Sequence, residues 1–159
     1  ADSENQPIIR VMPNINAQIG QSTSAIVKNE FVDDSAYATV QEIFKSTGSV
    51  HEIAEKDFST FAAIAGSSPA FIYMFIDAMA RAGVLHGIPK DQATAIVAET
   101  VRASAEMILQ SGENPWSLVD KVSSPGGTTV AGVVSLEQNH FIGTVIDAIS
   151  ATIEKEKNL

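Results

Sequence analysis

The run Ala70-Phe-Ile-Tyr-Met-Phe-Ile76 carries no charged side chain on any side, and it limits the possible folds more than any other segment. Ser68-Pro69 precedes it, a capping hydroxyl followed by a residue suited to the first helical position. The pattern predicts a helix from there to about His86, stopped by Gly87. A helix that is apolar around its full girth must be covered around its full girth. Two architectures meet that demand: a central core helix within one chain, or an interface in which helices of two chains interlock. Farther along, Asp77 and Arg81 stand four apart and can pair on one face.

Other helices announce themselves by their ends. Asp34 or Ser35 can cap a helix to about Thr47, with Val40, Ile43 and Phe44 on one face and Gly48 as its stop. Asp57 opens a short helix, FSTFAAIA, closed by Gly66. Ile88-Pro89 begins a long one to about Ser111, before Gly112. There Ala93, Ile96, Val97, Thr100, Val101, Ser104 and Ile108 form an amphipathic stripe. Asn114-Pro115 starts WSLVDKV. After SSPGG, residues Thr128 to about Glu137 and His140 to about Lys155 read as the last two helices. The final one is expected to bury Phe141, Ile142, Val145, Ile146, Ile149 and Ile153.

Ahead of all this, residues 8–27 are rich in Ile and Val and broken by Pro13, Asn14, Asn16 and Gly20, which predicts two short strands joined by a turn. Two strands alone are marginal, so they call for another chain or a larger sheet. Ser49 to Glu55 alternates weakly and is compatible with one more strand. The opening ADSENQP reads as a frayed or linking segment. The fold class is therefore mainly α, a helical domain over 31–159, with a small β portion over 1–30.

Nineteen acidic against ten basic residues leave a net charge of −9. No basic stripe is present to displace counterions from nucleic acid, and the same imbalance disfavours anionic membranes. The longest wholly apolar run falls far short of the ~20 residues of a spanning helix, and no secretory leader opens the chain. A cytoplasmic soluble protein is the expectation. Without cysteine, disulfides, thiolate catalysis and zinc–sulfur sites are excluded. His51-Glu52 resembles the start of HExxH, but Glu55 stands where the second histidine belongs, and no metal site is expected. His86 and His140 are isolated near helix ends, and the scattered carboxylates suggest no acid–base pair.

The segment Val122-Ser-Ser-Pro-Gly-Gly-Thr-Thr129 lies at a seam between two helices. Pro125 restricts the chain, and Gly126 and Gly127 allow a sharp bend and close approach of a ligand. Thr128 and Thr129 open the next helix, so free amides, the positive end of a helix dipole and the Ser124, Thr128 and Thr129 hydroxyls converge there. That chemistry suits a small carboxylate. The plain alternative is a tight interhelical turn with a capping threonine. No GxGxxG and no phosphate-loop lysine motif occurs in the chain, so it has no recognisable dinucleotide grip of its own.

Three segments resemble the pyrroline-5-carboxylate reductase family. Arg10-Val-Met-Pro-Asn14 is similar to its RVMPN segment, and Ala65-Gly-Ser-Ser-Pro-Ala70 to its SGSGPA. From Pro115 to Glu137 the family signature fits in register at Pro115, Leu118, Val122, Ser123, Ser124, Gly126, Gly127, Thr129, Gly132, Val133, Leu136 and Glu137. The likeness extends over nearly the whole chain from Ile8. Departures are Ala65 for the family's first serine, Ser68 for its second glycine, and Lys121 where some relatives carry asparagine near the cofactor.

The resemblance implies a dimerisation domain like the carboxy-terminal domain of 6-phosphogluconate dehydrogenase, preceded by two short strands left from a Rossmann domain. It implies reduction of 1-pyrroline-5-carboxylate to proline by hydride from NADPH or NADH, in a homodimer or higher homo-oligomer. Carried over by position, Ser124, Gly126, Gly127 and Thr128 hold the substrate carboxylate. Thr129 hydrogen-bonds the ring nitrogen as the catalytic residue, and Met12, Pro13 and Asn14 lie near the nicotinamide. The main cofactor-binding strands and their glycine fingerprint are not in this sequence, so it is expected to be a truncated form, inactive alone. Two other readings stay open: a non-catalytic helical oligomerisation module, and a hydroxy-acid dehydrogenase with a helical carboxy-terminal domain. The latter usually shows a catalytic lysine in the long helix, where Arg81 is the only base.

Overall fold

A computed structural model describes residues 5–158; the first four residues of the opening segment, and Leu159, lie outside the described residues. Strand β1 (Ile9–Met12) pairs antiparallel with β2 (Ser22–Lys28), and β3 (Gly48–Glu52) pairs parallel with β2, giving the order β1-β2-β3. Both predicted strands are present, and the weakly alternating segment after Gly48 is the third. Between β1 and β2 the polar break is a 3-10 helix, Ile15–Ile19, capped by Asn14.

As the central strand, β2 is covered on both faces, and Ala25 and Ile26 are fully buried. Ala25 meets Phe58 and Phe61, with Met12, Val27, Ile53 and Ala65 around them. Ile26 meets Val32 and Tyr37, flanked by Ile9, Val11, Val40 and Val50. The period-two alternation of a strand thus feeds two separate cores. Burial pushes the Tyr37 phenol pKa above its ordinary value, and the neighbouring Glu52 carboxylate adds to the effect.

Helix α1 (Asp34–Lys45) is capped by Asp33, whose carboxylate accepts from the Ala36 amide at 2.9 Å. The cap is thus one residue earlier than expected, because only a residue in extended conformation can turn its side chain onto the first turn. The Asp33 carboxyl is held below its ordinary pKa by the Ser35 hydroxyl and the Ala36 amide. Tyr37, Val40 and Phe44 form the inward face, whereas Ile43 is exposed. Gly48 is not the helix stop: Ser46 caps α1 and Gly48 opens β3 at φ 148°. A Cβ there would lie 2.1 Å from the Ser22 carbonyl oxygen, so the β2–β3 pairing needs glycine.

The largest departure from expectation lies between Phe58 and Leu85. Helix α2 (Phe58–Phe61) does not stop at Gly66. It passes through a π-turn, Ala62–Ser67, directly into α3 (Ser68–Leu85). Proline inside a helix removes an amide and crowds the carbonyl four residues back, and a widened turn relieves the crowding. The Ser68 hydroxyl donates to the Ala63 carbonyl at 2.7 Å within that turn. The uninterrupted helical stretch, Glu55–Leu85, has 31 residues and is long and apolar enough to cross a membrane by length and composition. Its first turns pack on the sheet through Phe58 and Phe61.

The chain divides into two compact units, one holding the sheet and running to Pro69 with the chain from Ala148, the other Ala70–Asp147. In chain order α3 is followed by α4 (Lys90–Ser111), α5 (Pro115–Val122), α6 (Thr128–Gln138) and α7 (Phe141–Glu156), the last of which belongs to the first unit from Ala148 on. Pro89 sits at the cap of α4 in extended conformation, not inside it. Helices α3 and α4 approach closely over small residues: a Cβ on Gly83 would be 3.2 Å from that of Ala93. Ala80, Ala93 and Val97 are buried there. Asp77 binds both Arg81 and Lys90, and these two cations hold its carboxyl below the ordinary pKa, Lys90 contributing most.

Little else in this unit is covered. On α3, Ile72, Tyr73, Met74, Phe75 and Met79 are exposed, Met74 to 71%. Within its own unit α3 is therefore not enclosed as a central core helix. On α7, Phe141, Ile142, Val145 and Ile146 are likewise exposed, contrary to expectation, while Ile149 and Ile153 are half-buried. Along α4, Ile96 and Ile108 are open. The apolar stripes exist as predicted, and these members of them are exposed.

Candidate functional site

The glycine-rich segment forms the junction of α5 and α6. Asn114 caps α5, its side chain accepting from the Trp116 amide at 2.9 Å, with Pro115 in the first turn. The helix ends at Val122, and the Gly127 amide then donates to the Ser124 carbonyl at 2.9 Å. Pro125 and Gly126 are the central residues of that turn, and Gly126 has φ 69°. Proline at the second position and positive φ at the third are the marks of a type II turn.

Gly127 is constrained by space. A Cβ on it would lie 2.4 Å from the Ser124 hydroxyl oxygen and 3.0 Å from the Ser124 carbonyl oxygen. The Ser124 hydroxyl is thus folded over Gly127, beside the start of α6. As the α6 cap, Gly127 offers no side chain to the first-turn amides. Those amides, at the positive end of an 11-residue helix, stand beside the Ser124, Thr128 and Thr129 hydroxyls, donors of a kind that suits an anion. Gly126, Thr128 and Thr129 are all exposed. The predicted site residues Ser124, Gly126, Gly127, Thr128 and Thr129 are therefore gathered in one open turn.

Two features here escaped the sequence. The Ser123 hydroxyl is turned inward and has no hydrogen-bond partner among the described residues. Lys121 pairs with Glu113, joining the end of α5 to the connection before it. Charge order eight residues apart across a helix start gives no periodic signal, so the pair could not be read in advance. Between α4 and α5 runs an apolar groove lined by Thr100, Ala103, Met107, Leu118 and Val122 among others. It reaches Lys121 and Val122 and ends just short of the turn.

Met12, Pro13 and Asn14 lie in the other unit, at the exit of β1. Met12 packs against the Ala25–Phe58–Phe61 core, Pro13 is exposed, and the Asn14 side chain caps the 3-10 helix. Arg10, in the same segment, pairs with Glu55 and stacks over the Phe58 ring, 4.3 Å from its centre. His51 lies exposed on β3. Among the described residues no three His, Asp or Glu side chains gather at metal-binding range.

A helical unit with bare amides at an open turn follows a sheet with a parallel strand pair. Residues 55–159 match the family described as pyrroline-5-carboxylate reductase dimerisation, and the chain belongs to that family. It is 42% identical over 156 residues to the pyrroline-5-carboxylate reductase of Aquifex aeolicus, spanning 98% of this chain and 59% of the relative. Among solved structures, 1-pyrroline-5-carboxylate reductase from Streptococcus pyogenes superposes with a TM-score of 0.93 at 48% identity, over 99% of this chain and 61% of that one. Pyrroline carboxylate reductase from Plasmodium falciparum, solved with NADP bound, gives 0.91 at 36% identity, over 98% and 63%. The chain thus spans about three fifths of the length of the relatives it matches.

Proposed function

We propose that this chain is the substrate-holding and subunit-joining part of a pyrroline-5-carboxylate reductase, which reduces 1-pyrroline-5-carboxylate to L-proline in proline biosynthesis. The observation that carries the proposal is the open, uncapped turn Ser124–Thr129, which lies within the matched region. The α6 amides, with the Ser124 and Thr128 hydroxyls, bind the substrate carboxylate. A chain of net charge −9 repels anions at long range, so fixed dipoles at short range must supply the attraction. Thr129, one residue into the helix, donates to the ring nitrogen and fixes which face of the C=N bond is presented.

NADPH or NADH supplies the hydride. Met12, Pro13 and Asn14 form the nicotinamide end of its site. They fit that role, because the exit of β1 presents the exposed Pro13 ring and no cation. The segment suits a flat uncharged ring, and its nearest cation, Arg10, is paired with Glu55. No glycine fingerprint is available for them in these 159 residues, so this chain alone is expected not to turn over.

Assembly belongs to the same proposal. The exposed apolar side chains of α3 and α7 call for a second copy, and a homodimer is the smallest assembly that covers them. A cytoplasmic location fits this chemistry. In the full-length enzyme, Thr129→Ala is expected to lower kcat at least about a hundredfold, the usual effect of removing a positioned donor, with the dimer intact by sedimentation. Unchanged turnover would instead leave a non-catalytic assembly module.

A further inference from the structure

We infer that Asn14 is a positioning residue that supplies the hydrogen bond Pro69 withholds, and so fixes the cofactor-facing segment onto the long helix. The inference rests on the reductase reading for its functional consequence, and on local geometry for the rest.

Pro69 lies within an uninterrupted helical stretch and has no amide hydrogen. In a regular helix the residue at that position would donate to the carbonyl of Ala65. That carbonyl instead accepts from the Asn14 side-chain nitrogen at 3.1 Å, across 51 residues of sequence. The orientation of the Asn14 amide is not free to reverse. Its oxygen accepts from two backbone amides, Asn16 at 3.2 Å and Thr23 at 3.3 Å, which fixes the nitrogen on the other side.

The Asn14 backbone is also engaged. Its amide donates to the Ser22 hydroxyl at 3.3 Å, and its carbonyl accepts from Ala17 at 3.1 Å. Four elements therefore meet at one residue: the exit of β1, the 3-10 helix, the start of β2 and the π-turn. Both of the residue's acceptors, its backbone amide and one N–H of its side-chain amide are committed to the protein, so its side chain serves the nicotinamide end chiefly by placing Met12 and Pro13. Pro69 and Asn14 are complementary, one creating a need and the other meeting it.

The test is a four-protein cycle in the full-length enzyme: wild type, Asn14→Asp, Pro69→Ala and the double variant. Aspartate keeps the two acceptor bonds and loses the donor, whereas Pro69→Ala restores a backbone amide that the Ala65 carbonyl can use as a helical partner. Asn14→Asp is expected to lower kcat/KM for the nicotinamide cofactor roughly tenfold, the factor typical of one stranded polar group. The change should fall mainly on the cofactor KM, with the KM for pyrroline carboxylate unchanged. Adding Pro69→Ala should recover most of the loss, in kinetics and in melting temperature. Equal kinetics for Asn14→Asp and wild type would overturn the inference, as would a loss that Pro69→Ala does not relieve. Should Asn14→Asp alone fail to fold, the double variant decides: a folded, active double supports the coupling, and an unfolded one sinks it. If the wild-type enzyme does not reduce pyrroline-5-carboxylate, the reductase reading fails, and the melting temperatures still report the coupling.

Discussion

The sheet-bearing unit and the Ala70–Asp147 unit solve the burial of apolar surface in opposite ways. The first encloses its own cores: Ala25 and Ile26, adjacent in β2, supply one cluster each, and Phe58 is 98% removed from solvent. In the second, contact between α3 and α4 depends on Gly83, Ala80 and Ala93, while the large side chains point outward. Small residues let two helices of one chain come close without using much of their apolar surface. The remainder is left for another surface. The two units therefore respond to mutation through different equilibria, folding in one case and association in the other.

The largest effect should come from Gly48→Ala in the first unit. Positive φ and the Ser22 backbone both oppose a Cβ, and together they should cost about 3 kcal/mol of folding stability, read from denaturant melts. A loss below about 1 kcal/mol would show that β3 can shift, breaking the picture of a self-contained sheet. In the second unit Met74→Asp should leave folding nearly unchanged and weaken association by about 2 kcal/mol, the scale of an interface hot spot. Sedimentation velocity across a dilution series separates the two. A folding loss without dissociation would mean that α3 is covered from within.

Smallest is the effect of pH on the α3–α4 connection. Lys90 and Arg81 hold the Asp77 pKa below its ordinary carboxylate value, so its contribution is complete above the unfolded-state pKa and disappears as pH falls through the folded one. The melting temperature of the wild type should therefore drop slightly more than that of Asp77→Asn between pH 5 and pH 3, with no difference between pH 6 and pH 8. All three groups are at least partly exposed, so added salt should erase most of the difference.

Legibility in the sequence followed the range of the forces involved. The Asn114-Pro115 start, the Gly112 stop and the bend at Pro125-Gly126 were all readable, because capping and turn chemistry act over a few residues. The members of the candidate turn were readable for the same reason: Ser124 to Thr129 is one continuous stretch, and its likeness to the family lies in closely spaced positions. The helix break at Gly66–Pro69 was misjudged by the same local rules. They are sound for an isolated segment, and Ser68-Pro69 does read as a start. Asn14, distant in sequence, removes the penalty that would have ended the helix there.

Burial was less legible still. The spacing on α7 marks Phe141, Ile142, Val145 and Ile146 as one face, and so they are, yet all four are exposed. Periodicity reports which side chains share a face and is silent on which molecule covers it. What the sequence alone determined is therefore most of the helical segments, the ends at Gly112 and Asn114-Pro115, and the donor-rich turn, all products of neighbouring residues. The tertiary structure decided the parallel pairing at Gly48, the continuity of the helix through Pro69 and the outward aim of the apolar stripes. Each of those depends on groups brought together from 26 or more residues apart or from outside the chain, and no local pattern encodes them.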